Sequence, residues 1–269
     1  MSEKLTNLKN WFKNHKGTVT AFSGGVDSSL VLYVSKLVLR ENAIGLISNS
    51  ESLKLKDFEV ATSFCEHHNI SLEVIKTDEL NDPRYTANPS NRCFFCKNHL
   101  YEAMIDVIQE KYPEFTILNG TNLDDLGDYR PGLQAANFYK IQSPLAELKI
   151  SKKEVIEMAN ELGLETANKP PSPCLSSRIP YGTAVNNERL KQIEHAEYIL
   201  NDFGFDTVRV RYNGDKASIE VPSAEIEKLI EKFEVISISI RNLGFKEVEI
   251  DNEGFVSGKL NRVLYDKTV

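Results

Sequence analysis

Short runs rich in β-branched residues alternate with stretches of helical apolar spacing, and no other feature limits the folds open to this chain so tightly. TVTAF (18–22) reads as a strand, and beyond a glycine turn Leu30, Val31, Val34, Leu37 and Val38 fall on the spacing of a helix. AIGLIS (43–48), SLEVIKT (71–77) and FTILNG (115–120) read as further strands, with helical stretches at 56–68 and 97–111 between them. A strand that returns through a helix pairs in parallel with its predecessor, so the order βαβα predicts an α/β fold: a mainly parallel sheet with helices on both faces. Ser151 followed by Glu154 carries a capping-box signature, and a helix is expected from there to Gly163.

In the segment NKPPSPCLSSRIPYGT (168–183), Pro170, Pro171 and Pro173 forbid regular structure. A chain of 269 residues lies where one core tends to split into two. The reading is a first domain over 1–180 and a smaller α+β domain over 181–269, the latter for substrate binding and oligomerisation. Its expected elements are a helix near 187–203, the strands TVRVRY and ASIEVP, a helix near 223–243 and the strand KEVEI. The 39 acidic against 32 basic residues give a net charge of −7, which argues against a non-specific hold on nucleic acid or an anionic membrane. An anionic substrate must therefore meet locally placed cations. No apolar run reaches the roughly 20 residues of a membrane span, and the first residues lack a signal-peptide core, so a cytoplasmic protein is expected.

Ser23-Gly24-Gly25-Val26-Asp27-Ser28-Ser29 lies between the first strand and the first following helix. Paired glycines let the backbone approach a ligand closely, so that successive N–H groups surround phosphate oxygens at the positive end of the helix. Ser23, Ser28 and Ser29 can add hydroxyl donors. A carboxylate in such a cradle repels phosphate unless a cation lies between them, so Asp27 points to Mg²⁺. The plainer alternative, a helix cap behind a tight turn, does not require serines on both sides together with the acid. The Lys-Ser/Thr of a Walker loop is missing. SGGVDSS after a first strand resembles the PP-loop of the N-type ATP pyrophosphatases. The resemblance implies a PP-loop, adenine nucleotide alpha hydrolase-like fold. It also implies cleavage of ATP between its α- and β-phosphates, with a substrate oxygen adenylated and pyrophosphate released.

Four cysteines are too few for a secreted disulfide framework. Cys93-Phe-Phe-Cys96 sits at the expected start of a helix, where the dipole favours thiolates. With Cys174 as a third ligand, the set would leave one iron of a [4Fe–4S] cluster open to a further ligand. His99 or a carboxylate could instead complete a zinc site. Cys65, within ATSFCEHH, reads as a small buried hydrophobe.

PSPCLSSRIPYGT, NGTNLDDLGDYRPGL and TVRVRY, taken with SGGVDSS, resemble the LarE family of ATP-dependent sulfur transferases over nearly the whole chain and in the same order. That resemblance implies a small nucleotide substrate, pyridinium-3,5-biscarboxylic acid mononucleotide, whose carboxylates are adenylated and converted to thiocarboxylates for a nickel-pincer cofactor. Some members use one cysteine, at the position of Cys174, as a sacrificial sulfur donor left as dehydroalanine. Others hold a [4Fe–4S] cluster on three cysteines, and Cys93, Cys96 and Cys174 fit that second type. A homo-oligomer is expected on the same ground.

The alternation Arg209-Val210-Arg211 puts two guanidinium groups on one strand face, and likeness to the family assigns them to the substrate phosphate. Arg178 and Ser177 are expected at the substrate carboxylate or AMP, with Ser176 nearby, and Lys97 at the adenylate phosphate. Glu197 and Glu220 resemble acids of the family's second-domain site. Asp124, Asp125 and Asp128 follow a strand end, where α/β sheets place ligand contacts, and one of them is a candidate to assist Mg²⁺. His15, His67, His68 and His195 are assigned to surface or capping roles. The competing readings are a PP-loop tRNA thiolase and a nucleotide sensor without chemistry. The first would carry a basic RNA surface and a lysine where this motif has Val26.

Overall fold

The computed structural model describes residues 2–127, 131–256 and 258–265. These divide into two units, one of 1–79 with 91–172 and the other of 80–90 with 173 onward. The sequence reading has a single cut near 180; the structure adds an excursion at 80–90. Among the described residues no helix is long and apolar enough to cross a membrane.

The first unit is built on β1 (Thr18–Ala21), β2 (Ala43–Ser48), β3 (Ser71–Ile75) and β4 (Thr116–Leu118), all parallel in the order β3-β2-β1-β4. β1 is central, with Val19 in register with Ile44 on one side and Ile117 on the other. Helices α1 (Glu3–Phe12), α2 (Val26–Leu39), α3 (Leu55–His67), α4 (Arg92–Lys111), α5 (Gly132–Phe138) and α6 (Lys152–Glu161) surround the sheet. Alternation along the strands fixes which helices meet which face. Val19, Ile44 and Leu46 pack with Tyr101, Met104 and Ala135 of α4 and α5. Ile47 and Leu118 belong to the opposite core, with α1, α2, α3 and α6. Leu30, Val31, Leu32 and Val34 are all fully buried, which explains why α2 is apolar nearly all round.

The expected elements are present, with two informative differences at their ends. β4 stops at Leu118 because Asn119 turns the chain: its Oδ1 accepts from Thr121 N at 2.9 Å and from Ser143 Oγ at 2.8 Å. α4 starts at Arg92 and so includes both cysteines of the CxxC in its first turns. Helix α6 opens on the predicted capping box, with Ser151 N donating to Glu154 Oε2 at 2.8 Å. Those hydrogen bonds hold the Glu154 carboxyl below the usual range. Gly120, just beyond β4, lies so close to the start of α2 that a Cβ there would stand 2.7 Å from Ser28 N.

The second unit carries β5 (Arg209–Asn213), β6 (Lys216–Glu220) and β7 (Glu247–Ile250), with β5 antiparallel and β7 parallel to β6. Leu200 of α7 (Asn187–Asp202) and Leu229, Ile236 and Ile240 of α8 (Ile226–Arg241) pack with Val210 and Ile219 of the sheet. The segment 80–90 joins this unit through side chains. Tyr85 Oη and Ser176 Oγ are 2.6 Å apart, and Asn88 Nδ2 donates to the carbonyls of Ile179, Pro180 and Thr183. A buried ion pair, Arg178 Nε to Glu197 Oε1 at 2.8 Å with 1% and 4% side-chain exposure, ties α7 to the turn after Cys174.

Two stability changes follow. Gly120→Ala overpacks the β4–α2 junction against backbone and is expected to cost about 1–3 kcal/mol, read as a lower Tm by calorimetry. Glu197→Ala leaves the Arg178 guanidinium buried without its carboxylate, and a loss of about 3–5 kcal/mol is expected in urea unfolding.

Candidate functional site

The loop 23–29 joins β1 to α2 at the carboxyl end of the parallel sheet, where open α/β folds bind ligands. Gly24 has φ +67°, and a Cβ there would meet Ala61 Cβ at 3.1 Å, so the position needs glycine for its conformation. Gly25 is the N-cap of α2, and no side chain caps that helix end. The first N–H groups of α2 are thus offered to a ligand at the positive end of the dipole. Ser23 and Ser28 pair through their hydroxyls at 3.0 Å, and Ser23 N donates to Ser28 Oγ at 3.2 Å. Ser29 is fully buried, and its hydroxyl has no partner among the described residues. Val26 is buried in the core beneath the loop.

Asp27 is held at both carboxylate oxygens. Asn122 Nδ2 donates to Oδ1 at 2.9 Å, and Lys152 Nζ lies 2.5 Å from Oδ2. An ammonium is therefore the cation that Asp27 faces in the structure. Asn122 is itself fixed by its neighbours: its Oδ1 accepts from Asp124 N and Asp125 N, and its backbone N–H donates to Asp125 Oδ2. Asp124 Oδ2 accepts from Lys152 N at 2.8 Å, which joins the loop after β4 to the start of α6. Asp128 lies outside the described residues.

A second lysine reaches the loop from the other side. Lys169 Nζ donates to the Gly24 carbonyl at 3.3 Å and pairs with Asp57 Oδ1 at 3.0 Å, while Ser172 Oγ donates to Asp57 Oδ2 at 2.5 Å. Sequence reasoning missed Lys152, Lys169 and Asn122. Only Lys152 carried a local signal: a cation in the first turn of a helix opposes the dipole and needs another reason to be there.

Cys93 and Cys96 stand three residues apart in the first turns of α4, hence on one face, the first exposed and the second half-buried. Lys97 continues that face, its Nζ 5.9 Å from the centre of the Tyr101 ring and its Cγ against Gly132 of α5. Cys174 belongs to the second unit, and all four thiols are free of disulfides. Among the described residues no group of three or more His, Cys, Asp and Glu side chains is arranged to hold a metal ion. Cys65 is buried, and burial pushes its thiol up to about 12, as a core residue should show.

In the second unit three guanidinium groups lie among two carboxylates. Arg178 gives Nε and Nη2 to Glu197, and Nη1 to Ser177 Oγ and to the carbonyls of Pro173 and Cys174. Arg211 forms a two-bond pair with Glu220, at 2.9 and 2.8 Å, and also donates to Ser177 O. Arg209, 7% exposed, stacks on Phe255 with its Cζ 4.1 Å from the ring centre and has no carboxylate ion pair among the described residues. Burial, and then the charges of Arg178 and Arg211, lower its pKa to about 10, so it stays charged at neutral pH. Lys259 stands 3.7 Å from Glu220 and pairs with Asp251 and Glu253.

His15, His67 and His68 have local partners. His15 stacks on Trp11 and meets Trp11 O and Gln142 Oε1, and His68 meets Glu165 at 3.1 Å with His67 against its ring. His195 lines a shallow groove with Glu188, Lys191 and Tyr212.

Comparison with known proteins agrees with this geometry. A family described as NAD synthase matches residues 5–88, which contain the loop 23–29. An uncharacterized protein of Synechocystis, slr1717, is 41% identical over 98% of this chain and 99% of its own length. An uncharacterized protein of Methanocaldococcus jannaschii, MJ0830, is 34% identical over 92% of this chain and 93% of its own. The pyridinium-3,5-bisthiocarboxylic acid mononucleotide synthase of Lactiplantibacillus plantarum is 34% identical over 98% of this chain and 96% of its own length. On that full-length likeness, together with the loop that the NAD synthase family shares, the chain belongs to the LarE family, that of the pyridinium-3,5-bisthiocarboxylic acid mononucleotide synthase.

Proposed function

We propose that this protein is an ATP-dependent sulfur transferase acting on pyridinium-3,5-biscarboxylic acid mononucleotide. The observation that carries the reading is the open end of α2 behind a left-handed Gly24, with Asp27 already bearing a cation. Residues 23–29 hold the β- and γ-phosphates of ATP, and Asp27 is the residue to hold Mg²⁺, which supplies charge neutralisation between carboxylate and phosphate. A substrate carboxylate oxygen attacks the α-phosphorus, the bond to the bridging oxygen breaks, and pyrophosphate leaves. The carboxylate oxygen, a poor leaving group, is thereby made part of AMP. A sulfur nucleophile then attacks the acyl carbon and AMP departs.

Arg209 and Arg211 are the proposed hold on the substrate phosphate, and the unpaired charge of Arg209 supports that assignment. Ser177, Arg178, Glu197 and Glu220 complete the substrate side, with Arg178 acting by fixing the carbonyl of Cys174. Lys97 meets the adenylate phosphate. The donor set Cys93, Cys96 and Cys174 suits a [4Fe–4S] cluster by its chemistry, three thiols on no disulfide, and such a cluster when bound would supply sulfide at its open iron. The alternative uses Cys174 itself: its thiolate attacks the acyl carbon, the Cα proton is removed, and the Cβ–S bond breaks to leave dehydroalanine. A cytoplasmic homo-oligomer that binds no nucleic acid is proposed as the working form.

Pyrophosphate release that depends on the bis-carboxylate substrate is the direct test. Asp27→Ala is expected to lower it by about 100-fold or more, and unchanged release in that variant would remove the loop from the mechanism. Iron and acid-labile sulfide are expected in similar amounts after anaerobic purification and are lost in Cys93→Ala. A preparation without iron, whose Cys174 becomes dehydroalanine after one turnover, would assign the sulfur to Cys174.

A further inference from the structure

The peptide between Gly24 and Gly25 is flanked by two residues without Cβ, and it is the unit of the loop freest to rotate as a whole. Its orientation decides the sign of what the loop shows a phosphate. The unit is planar and trans, so its C=O and N–H point in opposite directions. With the carbonyl turned away, the Gly25 N–H faces the ligand; turned over, a carbonyl oxygen would face phosphate oxygens and repel them.

In the structure the two ends of this peptide have different partners. The Gly25 N–H donates to Ser23 Oγ at 3.4 Å, within the loop, and the Gly24 carbonyl accepts from Lys169 Nζ at 3.3 Å. Lys169 is itself fixed by Asp57 in the first turn of α3, and Asp57 is 7% exposed and engaged at its other oxygen by Ser172. Asp57 and Ala61 of α3 also line the position a Gly24 Cβ would fill, so one helix supports both the glycine and the lysine.

We propose that Lys169 is a positioning residue that holds the Gly24–Gly25 peptide with its carbonyl outward, so that the Gly25 N–H is pre-aimed at the pyrophosphate group of ATP. The inference rests on the reading of residues 23–29 as the ATP phosphate loop. The bond is charge-assisted on the donor side, and its loss lets a glycine-flanked peptide rotate, so the cost appears in anion affinity rather than in the fold.

The test is calorimetric binding of inorganic pyrophosphate, Mg-ATP and adenosine to the full chain, with hydrogen exchange of residues 23–29 in the ligand-free protein. Lys169→Met is expected to bind pyrophosphate and Mg-ATP about tenfold more weakly, the size of one charge-assisted hydrogen bond, with adenosine unchanged and loop exchange faster. Lys169→Arg, which can still donate, is expected to restore both readouts. Asp57→Asn removes the anchoring charge without changing shape and should move them in the same direction, which keeps the test open if Lys169→Met does not fold. Equal pyrophosphate binding by wild type and Lys169→Met overturns the proposal, and so does a parallel loss of adenosine affinity, which would assign Lys169 to the fold of the unit. Wild-type protein that binds neither pyrophosphate nor Mg-ATP overturns the phosphate-loop reading itself.

Discussion

A carboxylate at the mouth of an anion cradle must be balanced by a cation. At 4 Å two like charges repel by about 1 kcal/mol in water and about 4 kcal/mol near a protein surface, enough to cancel what several loop N–H groups offer a phosphate. The region between β4 and α6 is arranged around this demand. Asn122, folded on Asp124 and Asp125, reaches Asp27 Oδ1, and Asp124 fixes the first N–H of α6. The capping box at Ser151 sets where that helix begins and so where Lys152 points. A lysine in the first turn is unfavourable for α6 alone; the carboxylate across the loop accounts for it.

The second unit meets a related problem with the opposite sign. Three guanidinium groups, two of them buried and that of Arg211 largely so, would not be tolerated without acids, and Glu197 and Glu220 each neutralise one by a two-bond pair. Arg209 relies on the face of Phe255, which attracts a cation without neutralising it. A net acidic chain thus keeps one guanidinium charge without a carboxylate ion pair inside its second unit.

The sheet and most helices were legible because strand and helix periods differ and the glycine turn separates them cleanly at 23–25. The loop was legible for the same reason that it works: glycines, serines and an acid must be adjacent to act together. Lys169 and Asn122 were hidden because each reaches the loop over about a hundred residues or more of chain with no local pattern, and the first-turn position of Lys152 marks it as unusual without saying which carboxylate it meets. The roles of Glu197 and Glu220 as partners of Arg178 and Arg211 were equally invisible, since strand alternation tells which face a side chain occupies but not what lies opposite. The excursion at 80–90 escaped for a further reason. Its composition is that of an ordinary polar turn, and its place is set by distant partners, those of Tyr85 and of Asn88, which has a positive φ and three carbonyls to serve.

That excursion has a consequence for biosynthesis. Residues 80–90 leave the ribosome with the first unit, but the partners of Tyr85 and Asn88 follow about ninety positions later. At the usual rate of roughly 5–20 residues per second, the segment waits some 5–18 s for them. During that interval the nascent chain carries a tethered strip of Tyr85 and uncommitted backbone, and the second unit can close only after the first has been made.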